Sequence, residues 1–135
     1  MEVTITIDDA AVRAMLRRAP DRINWAMRAA MNDATTLLLT DMRAYPTQRA
    51  GSKYVRRNEE GLKGSWSRTI TGQGLGVVGR VGSNPNKAPY NRRVQDATMQ
   101  ARVHQGRWQT VQSVTRQRDA TIRGFFETRL REGIG

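Results

Sequence analysis

"PDRINWAMRAAMNDATTLLLTDMRAY", residues 20–45, decides the fold. Its apolar side chains Ile23, Met27, Ala30, Ala34, Leu37, Leu38, Met42 and Tyr45 recur at steps of three and four, the spacing that gathers them on one stripe of an α-helix. The stretch predicts one long amphipathic helix from Asp21 to about Ala44. Pro20 can start it, because proline fits the first turn of a helix and not the interior of one. Pro46 ends it, because the residue before a proline is pushed out of the helical region.

Upstream, "VTITI" alternates and is β-branched, so Val3–Ile7 reads as a short strand, and Asp8 or Asp9 stands where it can cap a short helix over Ala10–Arg18. Downstream, "PTQRAGSKYVRRNEEGLKG", residues 46–64, has almost no apolar periodicity. It predicts a long irregular loop over about 46–63, with too little apolar surface to offset its ordering entropy, mobile in a free subunit and ordered against a neighbour. "SWSRTI" and "LGVVGRVG" flank the glycine-rich "TGQG", which predicts a β-hairpin over about 65–82. A short helix is expected near 89–100, and Val111, Val114, Ile122, Phe125 and Leu130 form a second amphipathic stripe that ends at Gly133. The fold class expected is α+β: a long N-terminal helix and a C-terminal helix packed on a small antiparallel sheet, in one domain spanning residues 1–135.

The chain has 135 residues and a net charge of +11, unevenly spread. Residues 1–45 carry six basic and six acidic side chains, residues 46–108 twelve against three, and residues 109–135 five against three. The positive field belongs to the middle of the chain. Twenty of the twenty-three basic residues are arginine, whose planar guanidinium binds carboxylate or phosphate in a fork and stacks on aromatic rings. No run of about 18 apolar residues is present to span a bilayer, and "MEVTITIDDA" lacks the apolar core of a secretory signal. The expectation is a protein without a membrane partner. Without cysteine the chain can form no disulfide, thiolate nucleophile or cysteine-held metal site.

Catalysis finds little footing. A triad or a metal centre normally needs histidine with partners, and His104 is the one histidine. "GQGLG" at 72–76 lacks both the dinucleotide-binding spacing and the lysine of a phosphate-binding loop, and it lies between two strands. No enzyme activity, cofactor or metal is expected. A nucleic-acid groove is a real alternative, since Tyr54, Trp66, Tyr90 and Trp108 are interleaved with arginines. The same mixture of aromatics and arginine is enriched where protein subunits meet.

An ordered set of segments carries a resemblance. "YVRR" at 54–57, "GLKGSW" at 61–66, the glycine-rich hairpin, "APYNRRVQ" at 88–95 and "MQARVHQGRWQTV" at 99–111 precede a terminal amphipathic helix. Together they resemble the tail-completion (head–tail joining) family of tailed-phage neck and minor tail proteins. The matching positions are Tyr54, Arg56, Gly61, Leu62, Ser65 and Trp66, then Tyr90, Val94, Gln95, Gln100, His104, Arg107 and Trp108. Where that family has arginine, threonine and glycine in close succession, this chain reads "RRNEEGL" at 56–62.

The resemblance implies an α+β fold with helices covering a small sheet, and a structural role in a virion, at the neck or tail, after assembly in the host cytoplasm. Its implied partners are copies of the same chain in a ring, other phage neck or tail proteins, and DNA passing through a channel. Candidate interface residues are Tyr54, Arg56, Arg57, Trp66, Tyr90, Arg92, Arg93, Gln95, Gln100, His104, Arg107 and Trp108. Whether the basic middle faces DNA or protein stays open at this stage. The alternative reading is a sequence-nonspecific nucleic-acid-binding protein acting alone.

Overall fold

The structure, a computed structural model, describes residues 2–7, 9–44, 63–87, 95 and 109–134. The fold is α+β. In chain order it runs β1 (Glu2–Ile5), α1 (Ala10–Arg18), α2 (Pro20–Arg43), β2 (Trp66–Thr71), β3 (Val78–Ser83) and α3 (Val111–Ile134). The sheet is antiparallel in the order β1-β3-β2. The first strand therefore crosses over to pair with the second arm of the hairpin, with Val3 opposite Val81.

Helix α2 starts with Pro20 in its first turn and ends before Ala44, as the sequence predicts. Its buried residues are Ile23, Ala26, Met27, Ala30, Met31, Ala34, Thr35, Leu38 and Met42. That face is broader than one stripe because two layers cover it. The sheet lies on one side and α3, running antiparallel, on the other: Asp41 meets Arg118, Asp33 meets Arg129, and Ala26 meets Gly133. The C-terminal helix rests mainly on α2, and its Val114 joins Val3, Trp66 and Val81 of the sheet in one cluster. Two clusters fill the interior, Val3, Leu38, Met42, Trp66, Val81 and Val114 towards one end of α2, and Val12, Ile23, Met27, Met31 and Val77 towards the other.

Local chemistry explains the element ends. Of the two candidate caps for α1, Asp9 does the work: its carboxylate accepts hydrogen bonds from the backbone N–H of Ala11 (2.7 Å) and Val12 (3.2 Å). The hairpin connection is longer than a tight glycine turn. Gly72 and Gly74 have φ of 78° and 58°, and Gly74–Gly76 form a 3₁₀ turn that packs Leu75 onto the second cluster. Leu75 and Gly76, expected in the strand, therefore belong to the turn. A Cβ at Gly72 would lie 2.1 Å from the Gly76 carbonyl oxygen, so the turn requires glycine there. Strand β1 ends at Ile5 rather than Ile7, and α3 starts at Val111. The long loop expected over 46–63 and the short helix near 89–100 fall outside the described residues, apart from Lys63 and Gln95.

Strand β3 runs close beneath α2. At Gly79 a Cβ would sit 2.6 Å from both Met31 Sδ and Thr35 Cγ2. Gly79→Ala is expected to destabilise the fold by about 1–3 kcal/mol through overpacking. Gly124→Ala, within α3 and with nothing within 4 Å of the added methyl, is expected to stabilise by roughly 0.5–1 kcal/mol. Urea unfolding of the two variants checks both signs.

Candidate functional site

Helix α2 ends at Arg43, and four separate parts of the chain are tied together around that end. Gln109 donates its side-chain N–H to the carbonyls of Asp41 (2.7 Å) and Ala44 (2.5 Å), carbonyls that a helix C-terminus would otherwise leave to water. Arg43 donates to the Trp66 carbonyl at 2.9 Å, fixing the start of β2 beside the end of α2. The Asn84 N–H donates to Ser65 O at 2.8 Å, which brings in the far end of β3.

The start of α3 is built at the same place. Thr110 and Ser113 cap it reciprocally: Ser113 N–H donates to Thr110 Oγ1 (3.2 Å) and Thr110 N–H to Ser113 Oγ (2.9 Å). Gln95 accepts the Val111 N–H at 2.6 Å through Oε1. This bond fixes the amide's orientation, since the opposite orientation would set donor against donor. The Gln95 Nε2 is then a buried donor without a hydrogen-bond partner, a group whose desolvation costs about 1–3 kcal/mol if nothing accepts from it.

These ties have a topological consequence. The described residues that flank 45–62 are Ala44 and Lys63, and those that flank 88–108 are Lys87 and Gln109, with Gln95 of the second stretch buried against the start of α3. All four flanks lie at one pole of the molecule, through the Gln109–Ala44, Arg43–Trp66 and Asn84–Ser65 bonds. Ten of the candidate interface residues, namely Tyr54, Arg56, Arg57, Tyr90, Arg92, Arg93, Gln100, His104, Arg107 and Trp108, belong to these two stretches and lie outside the described residues.

The other two candidates need correction. Trp66 is fully buried between Leu38, Met42, Val81 and Val114, and Gln95 is 5 % exposed. Both side chains pack the interior of their own subunit rather than standing exposed. The strand alternation in "WSRTIT" carries the signal for Trp66, which faces the same side of the sheet as Ile70.

Sequence reasoning also missed the pairs that clamp α3 to α2. Arg118 forks onto Asp41 (Nε–Oδ2 2.7 Å, Nη2–Oδ1 3.1 Å), and Arg129 onto Asp33 (2.8 and 3.3 Å). The hydrogen bonds that these carboxylates accept, and then their charge, raise both guanidinium pKa values. A signal was available in the spacing: Asp33 and Asp41 are two helical turns apart, and Arg118 and Arg129 three, so each pair shares a helix face.

Open cavities lined by described residues include two that bear on function. One, of about 300 Å³, is lined by Asp21, Arg22, Trp25, Glu132 and Gly133; the other, of about 200 Å³, lies on the outer face of the sheet against Thr69, Arg80 and Asn84. Among the described residues no three acidic or histidine side chains gather where they could hold a metal ion, and no helix is long and apolar enough to cross a membrane. The chain matches no family model, no curated protein and no solved structure.

Gln109→Ala removes two hydrogen bonds from the end of α2. It is expected to cost about 1–2 kcal/mol and to speed amide exchange in the last turn of α2 while Ala26–Ala34 keep their protection. Hydrogen exchange read by mass spectrometry checks this.

Proposed function

We propose that this chain is a structural virion component of a tailed phage, acting at the neck or tail in tail completion or head–tail joining through contacts between subunits. The observation that carries the reading is the pole just described. The described residues that flank two arginine- and aromatic-rich stretches of sequence, 45–62 and 88–108, are gathered by caps and ties at one end of a packed helix-and-sheet body. A packed frame that gathers the flanks of both stretches at one end suits a part whose work is to join neighbours. The ordered resemblance across residues 54–111 points to the same role.

In this reading copies of the chain associate head to tail into a closed ring, the arrangement that a heterologous contact generates when its rotation closes. Other neck or tail proteins bind the ring, and the chain performs no catalysis. Arg92 and Arg93 make forked hydrogen bonds to carboxylates or backbone carbonyls of the adjoining subunit, a geometry that lysine cannot reproduce.

Sedimentation velocity across a range of concentrations, with and without short duplex DNA, tests the proposal. The wild-type chain is expected to associate into one closed species without DNA. The Arg92→Lys, Arg93→Lys variant is expected to fold with an unchanged circular dichroism spectrum and to lose roughly 1.5–3 kcal/mol of association free energy per disrupted contact. A chain that stays monomeric at every concentration while binding DNA tightly would favour the solitary nucleic-acid-binding reading instead.

A further inference from the structure

The opposite end of α2 has a different chemistry, and composition conceals it. There the last turn of α1, the first turn of α2 and the last turn of α3 converge. Ala19 alone separates α1 from Pro20, and Gly133 fits so closely that a Cβ would lie 3.0 Å from the Arg22 carbonyl oxygen. The convergence brings Arg17, Arg18, Arg22 and Arg131 to one pole. All four are exposed, and none forms an ion pair with a described acidic residue.

Asp21 is the one acid in the first turn of α2, and the other described acids of residues 1–45 are engaged elsewhere. Asp9 caps α1, while Asp33 and Asp41 are taken by arginines of α3. Residues 1–45 are neutral in composition, but three of their six arginines, Arg17, Arg18 and Arg22, meet Arg131 at this end. Trp25 stands beside them at 51 % exposure, whereas Trp66 is fully buried. Arg129 covers one face of its indole, with Cζ 5.8 Å from the ring centroid, and the cavity of about 300 Å³ opens beside the ring.

A second copy of this chain is a poor occupant for such a pole. The chain carries +11, and Glu2, Asp9, Asp33, Asp41, Asp119 and Glu132 already hold partners. A polyanion with flat rings fits better: phosphates meet the arginines, an aromatic platform takes a base, and Asp21 and Glu132 on the cavity wall can accept hydrogen bonds from a base amino group. We infer that this pole binds a nucleic-acid strand, its phosphates against Arg17, Arg18, Arg22 and Arg131 and a base stacked on Trp25. The inference does not depend on the virion role.

The test measures binding of fluorescein-labelled oligothymidylate by anisotropy over a series of salt concentrations. Arg17→Gln, Arg22→Gln is expected to lower the slope of log affinity against log salt by about 1.4, from two lost phosphate contacts on a single strand. The charge-matched Arg116→Gln, Arg123→Gln variant should leave the slope at the wild-type value. Trp25→Leu is expected to weaken binding about fivefold or more at an unchanged slope. Equal effects from the two arginine variants, or wild-type affinity in Trp25→Leu, would overturn the inference. So would polyglutamate displacing the oligonucleotide at equal charge and matching its dependence on Trp25, which would assign the pole to an acidic protein.

Discussion

Helix α2 is squeezed from two sides, and the rest of the fold depends on how closely its neighbours can approach. Strand β3 comes near enough that Gly79 has no room for a Cβ against Met31 and Thr35, and the end of α3 comes near enough that Gly133 rests on Ala26. Small residues at these contacts let one helix serve as the core element for both a sheet and a second helix. Thr35, buried at the sheet contact, satisfies its hydroxyl by donating to Met31 O at 2.8 Å, and Arg68 of β2 reaches over to Asn32 at 2.8 Å. The layers are thereby fixed in register by packing and by polar ties that leave the Thr35 hydroxyl partnered.

Much of this was legible in the residues. The three- and four-residue spacing of α2, the prolines at either end, and the alternation on each side of a glycine cluster each reflect a local rule, and local rules can be read from one chain. The ties between elements distant in sequence were not legible. Gln109 bonds the Ala44 carbonyl, 65 residues earlier, at the end of α2, and nothing near Gln109 announces that partner. Trp66 was misread for a related reason: its arginine-rich neighbours suggested a contact surface, while the pleat of its own strand turns the ring inward.

Charge gives the clearest contrast between composition and space. The neutral balance of residues 1–45 hid a separation that only the packing of α3 reveals, since Arg118 and Arg129 neutralise the acids on the flank of α2 and leave the arginines at its start exposed. Helix α2, with 24 residues, spans about 36 Å. Its two ends thus become distinct poles, one that gathers the flanks of the arginine-rich stretches and one where Arg22 and Arg129 lie beside an exposed indole. In a virion joint, such a body would meet neighbouring subunits at the first pole and nucleic acid at the second.

The central claim is that subunits join through the stretches whose flanks gather at the end of α2, while the helix-and-sheet body stays unchanged. Hydrogen exchange measured on the free subunit and on the oligomer it forms tests this most directly. The account predicts that assembly slows exchange within residues 45–62 and 88–108 and leaves the rates across Ala26–Leu38 of α2 as they were. Slowed exchange confined to α3 or to the exposed face of the sheet, with those two stretches unaffected, would contradict it.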